Sequence, residues 1–148
     1  MGFQVVEIDG ASFTADGRLK VAQEPPVPPP ATTPVDVGGI ATVGSGGGGI
    51  SDLLYVISAD KTLVVQNYNG GAARKGEGSK VELFYDPNGN GTGMTLVRAA
   101  YVDGESFSID LNREFGPGNG TRAIRLRRTN LGGASREIAA FVAGYETT

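Results

Sequence analysis

From Leu53 to Glu146 the chain is cut into short lengths, and this constrains its fold more than anything else in it. Turn signals stand at "SADK", "NGG", "DPNGNGTG", "DG" (Asp103-Gly104), "GPGNG" and "NLGG". Between them lie "LLYVIS" (Leu53–Ser58), "TLVVQNY" (Thr62–Tyr68), "KVELFY" (Lys80–Tyr85), "MTLVRAAYV" (Met94–Val102), "ESFSIDL" (Glu105–Leu111), "RAIRLRR" (Arg122–Arg128) and "REIAAFVAGYE" (Arg136–Glu146). Several alternate strictly. Phe107, Ile109 and Leu111 fall on one side, with Ser106, Ser108 and Asp110 on the other. Ile124 and Leu126 point in while Arg125 and Arg127 point out. A period of two is the mark of a half-buried strand. The closing segment also reads as helix, but its apolar alternation and its Gly-Tyr-Glu end favour strand. Asp103-Gly104 suits a two-residue hairpin turn, which needs positive φ at both positions. The spacing predicts an all-β body, an antiparallel β-sandwich or a jelly-roll-like barrel, over residues 51–148.

Ahead of that body the composition changes. Residues 23–50 hold Pro25, Pro26, Pro28, Pro29, Pro30 and Pro34, then a glycine tract from Gly38 to Gly49 interrupted by "IATV". Such a run favours polyproline II and then flexible coil. It is expected to be an extended arm reaching, at full stretch, on the order of 90 Å. Residues 1–22 read as a hairpin-like unit, with "FQVVEI" (Phe3–Ile8) and "RLKV" (Arg18–Val21) as strands and "DGASFTADG" as the turn. Two strands alone are not stable in water, so this unit needs something to lean on. Apolar residues Phe3, Val5, Val27, Val35 and Ile40 are the expected anchors through which the arm grips a partner.

Composition removes most catalytic chemistry. The chain has no Cys and no His, hence no disulfide, no thiolate and neither of the commonest metal and general-base side chains. Its acids fall singly on turns and outer faces rather than in a facing pair. No catalytic residue, metal ligand or cofactor site is expected, and the chain reads as a non-enzyme. "DPNGNGTG" (Asp86–Gly93) opens like a calcium loop, but the twelfth position, where a bidentate Glu belongs, is Val97. It reads as a Gly-rich hairpin loop. "RKGEGSK" (Arg74–Lys80) does not supply a phosphate-binding loop, and the "NGT" triplets at Asn90 and Asn119 read as turns. No stretch approaches the roughly 18–20 apolar residues of a membrane helix, so no membrane partner is expected.

Charge points the same way. The net charge is −3, all of it in residues 1–50, where Glu7, Asp9, Asp16, Glu24 and Asp36 stand against Arg18 and Lys20. The body is neutral, compatible with packing beside its own copies. No broad basic field recommends nucleic acid. Arg125 and Arg127, in the densest basic patch, read as structural pairing with Glu105, Asp110, Glu114 or Glu137, or as part of a subunit interface. Of the aromatics Tyr55, Tyr68, Phe84, Tyr85, Tyr101, Phe107 and Phe141, most fall on core positions. Tyr68 and Tyr85 border loops and are the candidates for a sugar platform.

The string "VELFYDPNGNGTGMTLVRAAYVDGESFSIDLNREFGPGNGTRAIRLRR", leading to "REIAAFVAGYE", resembles small virion proteins of tailed bacteriophages. The opening "DGRLKV" before a proline-rich stretch is similar to them too. The resemblance implies a structural role in the virion, assembled in the host cytoplasm: a capsid decoration or cement protein that binds the major capsid protein or other virion proteins and stabilises the head through its arm. It implies a homo-oligomer, dimer or trimer. A neck or tail adaptor, or a carbohydrate-binding β-sandwich at a tail or fibre tip, is the alternative.

Overall fold

A computed structural model describes residues 12–13, 19–20, 29–45, 49–73 and 78–148. The strands, in chain order, are β1 (Ser12–Phe13), β2 (Leu19–Lys20), β3 (Thr32–Val43), β4 (Gly49–Val56), β5 (Thr62–Ala72), β6 (Ser79–Asp86), β7 (Thr95–Val102), β8 (Ser106–Phe115), β9 (Ala123–Asn130) and β10 (Arg136–Thr147). All seven strands expected in the body are present. No helix among the described residues is long and apolar enough to cross a membrane.

β3 to β10 form two antiparallel four-stranded sheets, ordered β3-β10-β5-β8 and β4-β9-β6-β7. The pairs are concentric. β6 pairs with β7, β5 with β8, β4 with β9 and β3 with β10, as if one long hairpin had been folded over on itself. Two such sheets face to face make a sandwich of jelly-roll winding. The core lies between them. Tyr68 is wholly buried, its hydroxyl donating to the Val81 carbonyl at 2.5 Å, so β5 of the first sheet is tied to β6 of the second. Phe107 meets the Tyr68 ring edge-on at 4.8 Å. Around them pack Leu63, Val65, Leu83, Ile124, Leu126, Ile138 and Val142. Each contributes on the order of 1.5–3 kcal/mol of apolar burial.

Polar ties cross the same interior. Arg128, on the inner face of β9, donates to the Gly39 carbonyl of β3 at 2.9 Å and to the Ser51 hydroxyl of β4 at 3.1 Å. Burial lowers its pKa, with nearby Asp52 opposing. Near the chain's end the Glu146 carboxylate accepts the Ser58 N–H at 2.8 Å and fastens β10 to the segment after β4. Burial disfavours the charged carboxylate, but the bonds from Ser58 and Tyr55 outweigh it and hold Glu146 below its usual range. Tyr55 is pushed up to about 12, first by burial and then by that carboxylate.

Several features differ from the sequence expectation. The arm expected over 23–50 is a strand from Thr32 to Val43, paired residue by residue with β10, and β4 begins at Gly49 rather than Leu53. Pro34 is tolerated there because β3 is an edge strand and its outer N–H positions owe nothing to a ladder. Asp103-Gly104 is not a hairpin turn. Gly104 has the positive φ expected (67°), but β7 and β8 lie in different sheets, so the pair carries the chain across the sandwich. In the N-terminal unit Ser12–Phe13, expected within the turn, is the strand that pairs with Leu19–Lys20. The expected strand Phe3–Ile8 and prolines 25, 26 and 28 lie outside the described residues.

Candidate functional site

The outer face of the second sheet gathers charge and apolar surface in one place. Alternation along β4 turns Ile50, Asp52, Leu54 and Val56 outward. Register then places Thr129, Arg127, Arg125 and Ala123 of β9 beside them, and Lys80, Glu82, Phe84 and Asp86 of β6 beyond. Tyr101, Ala99 and Leu96 of β7 complete the row.

Asp52, on the edge strand β4, is where two arginines of β9 converge. Arg127 grips it in a two-pronged fork, Nε to Oδ1 and Nη2 to Oδ2, both at 2.9 Å. Arg125 adds a third bond at 3.1 Å and turns its other edge to Asp86 Oδ2, at 2.8 Å from Nη2 and 3.2 Å from Nε. The Arg127 guanidinium also lies over the Phe84 ring, 5.4 Å from its centroid. Lys80 pairs with Glu82 at 3.1 Å. Charge-assisted, two-pronged contacts of this kind are the strong ones. The hydrogen bond from Arg127 is the main influence on Asp52 and, with Arg125, holds its carboxyl low against burial. Burial is the largest influence on Asp86 and opposes its charge. The Arg125 bond and the Gly91 N–H (2.9 Å) overcome it, and its pKa is lowered.

The loop at Asp86–Gly93 is held from within the chain. The carboxylate that would open a calcium loop is already neutralised from within the chain by Arg125. Among the described residues no group of three or more His, Cys, Asp or Glu is placed to hold a metal. The loop is shaped by its Asn-Gly-Thr triplet. Asn90 Oδ1 accepts both the Thr92 N–H and the Thr92 hydroxyl, with Gly91 at φ 84°. The second triplet repeats the device: Asn119 Oδ1 accepts the Thr121 N–H and hydroxyl, with Gly120 at φ 87°. An Asn side chain closing on the backbone two residues ahead is an Asx-turn.

Among the described residues, five of the seven large apolar side chains that remain exposed stand on this one face: Ile50, Leu54, Val56, Leu96 and Tyr101, each 40–71% accessible. They flank the ionic belt, three on β4 and two on β7. No single periodic segment announces this patch; it needs the pairing of four strands.

Arg125 and Arg127 do point outward, as alternation requires, yet they are not free: only 14% and 25% of their side-chain surfaces are accessible. Their partners are Asp52 and Asp86, not Glu105, Asp110, Glu114 or Glu137. Of the expected arm anchors, Val35 belongs to the core at 6% exposure and is no partner anchor, because β3 is part of the sandwich. Ile40 is 66% exposed, on the outer face of the first sheet. Phe3, Val5 and Val27 lie outside the described residues. Tyr68 is core and no sugar platform. Tyr85 lines a cleft of about 330 Å³ with Thr95, Arg113, Glu114, Phe115 and Gly116, its ring stacked on Phe115 at 5.6 Å.

No family model matches the chain, and no curated protein matches it. Solved structures share its outline at a distance. One is the Drosophila NLP-core, described for pentamer formation and histone binding: 13% identical, covering 75% of this chain and 98% of that one, TM-score 0.38. Another is the structure of infectious bursal disease virus, Gt strain: 10% identical, covering 92% of this chain and 41% of that one, TM-score 0.37. At such distances neither likeness carries an argument about what this chain does.

Proposed function

We propose that the chain is a non-enzymatic structural protein of a virion, a decoration or cement protein of a tailed-phage head. The observation that carries this reading is the outer face of the second sheet. It offers docking area and no chemistry: exposed aliphatic side chains around an ionic belt whose charges satisfy one another. The jelly-roll winding suits it, since capsid proteins use that architecture repeatedly. So does the resemblance of the body and of the proline-rich stretch ahead of β3 to small virion proteins. In this reading the body sits on the shell and the residues preceding Thr32 run between neighbouring subunits. Burying surface from many copies then stiffens the particle. The test is co-sedimentation with empty heads of the phage that encodes the chain. Saturable binding at a fixed ratio to the major capsid protein, with heads that withstand more heat, supports the reading. Heads that neither bind nor stabilise sink it.

One observation favours a second reading, a carbohydrate-binding sandwich. The cleft beside Tyr85 combines an aromatic ring with Arg113, Glu114 and Thr95. A glycan that shifts tyrosine fluorescence, with the response lost in Tyr85→Ala, supports this reading; silence across a broad glycan panel ends it.

A further inference from the structure

Sheet edges expose unpaired N–H and C=O groups, and proteins blunt them with proline, charge or bulges. Among the described residues the two sheets have four edges, β3, β8, β4 and β7. Three carry such devices. β3 contains Pro34 and the exposed Asp36. β8 is broken by a register shift against β5, with Asn112 at φ 45°, followed by the exposed Arg113 and Glu114. β7 shifts register opposite Leu83/Phe84 and carries the exposed Arg98. β4 has none. Its eight residues run in unbroken register with β9, without Pro, Lys or Arg, and its one charge, Asp52, is clasped by two arginines of the next strand. Three of the five exposed apolar side chains of this face stand on it.

We infer that β4 is a pairing edge and that its occupant is the β4 of a second copy, joined antiparallel about a two-fold axis so that the second sheet runs on across the dimer. Charge selects this occupant. Asp52, Glu82 and Asp86 balance Lys80, Arg125 and Arg127, so the face offers no field to a strongly charged partner and none that repels its own copy. Symmetry then fixes the register. Residues opposite one another must share a face, so the paired numbers sum to an even value. The register placing Asp52 opposite Asp52 sets like charges together, which is destabilising. The neighbouring register puts Leu53 on the axis, Ile50 opposite Val56, and Asp52 opposite Leu54, so both apolar ends close on each other. Identical patches meeting in this way make an isologous, closed dimer. The inference deepens the virion reading by naming a self-contact of the same face.

The test uses the full chain. Sedimentation velocity across the micromolar range is expected to give a concentration-dependent dimer. Leu54→Lys should raise its dissociation constant at least about tenfold, while Tyr101→Lys, on the opposite edge of the same face, leaves it unchanged. The cysteine-free sequence supplies an independent readout. In Ile50→Cys/Val56→Cys the two thiols stand roughly 20 Å apart along one strand, too far for a bridge within a chain. Oxidation should therefore give a covalent dimer, and this decides the matter if Leu54→Lys fails to fold. A monomer at every concentration overturns the inference. So does a dimer indifferent to Leu54→Lys, or one that Ile50→Cys/Val56→Cys does not cross-link. Failure to bind heads with the dimer intact would instead strike the virion reading and leave β4 pairing standing.

Discussion

The two outer faces of the sandwich are built from different materials. On the second sheet, outward positions hold long charged side chains locked in a chain of ion pairs from Asp86 through Arg125 and Asp52 to Arg127, with aliphatics on either flank. On the first sheet, where β5 meets β8, they are mostly short amide and hydroxyl side chains, and the carboxylate among them, Asp110, meets an amide rather than a cation. Asn67 Nδ2 donates to the Ser108 hydroxyl (2.9 Å) and to Asp110 Oδ1 (3.1 Å), and Asn69 Nδ2 donates to Asn67 Oδ1 (2.8 Å). Both faces pair most of their polar groups, although Asp86 Oδ1 on the second is buried without a hydrogen bond, and they depend on them unequally. The second buries the carboxylate of Asp86, at the end of β6, and cannot lose its cation cheaply. The first bonds groups that water would serve nearly as well.

The sharpest way to expose that inequality is to remove Arg125. Arg125→Ala leaves the fully buried Asp86 side chain without its counter-ion, and the expected loss is about 3–5 kcal/mol in chemical denaturation. A loss under about 1 kcal/mol would mean that the belt is ornament. Acid tests the same asymmetry more gently. Asp52, Asp86 and Glu146 have folded pKa values below the ordinary 3.8 and 4.5, so their contribution is present at neutral pH. It is lost as pH falls below about 4 through the folded values. Urea midpoints should drop steeply in that range, and Asp86→Asn, weaker at pH 7, should show a flatter decline. Smaller still is the response to salt. The partly exposed Arg127–Asp52 pair should lose about 0.5 kcal/mol or less between low salt and ~1 M, read as the difference between wild type and Arg127→Ala. Smallest is the first face: Asn67→Ala should cost less than about 1 kcal/mol. If it cost more than Arg125→Ala, the comparison would be inverted.

The body was legible because its strands are short, alternating and punctuated. Ile124 and Leu126 went in and Arg125 and Arg127 out, as a period of two demands. What was hidden is non-local. Nothing near Arg127 in the sequence points to Asp52, because that contact exists only once β4 lies beside β9. β3 was hidden by its own residues: Pro34, Gly38 and Gly39 spell coil in isolation, and only an edge position against β10 makes them a strand. Val35, read as an arm anchor, became core for that reason. The Asp-Gly pair at 103–104 was half right about φ, positive at Gly104 but not at Asp103, and misled about topology, since a sharp bend serves a crossing between sheets as well as a hairpin.

The concentric pairing of the strands also dictates an order in time. β6 and β7 are neighbours in the chain and can close as soon as both exist, while β3 must wait for β10, the strand of the sandwich farthest from it in sequence. Until then β3 has no ladder, and its core residues Val35 and Val43 lie open to other nascent copies. The winding therefore makes β3, the first of the eight sandwich strands, the last to be secured, and the interval before β10 exists leaves it open to aggregation.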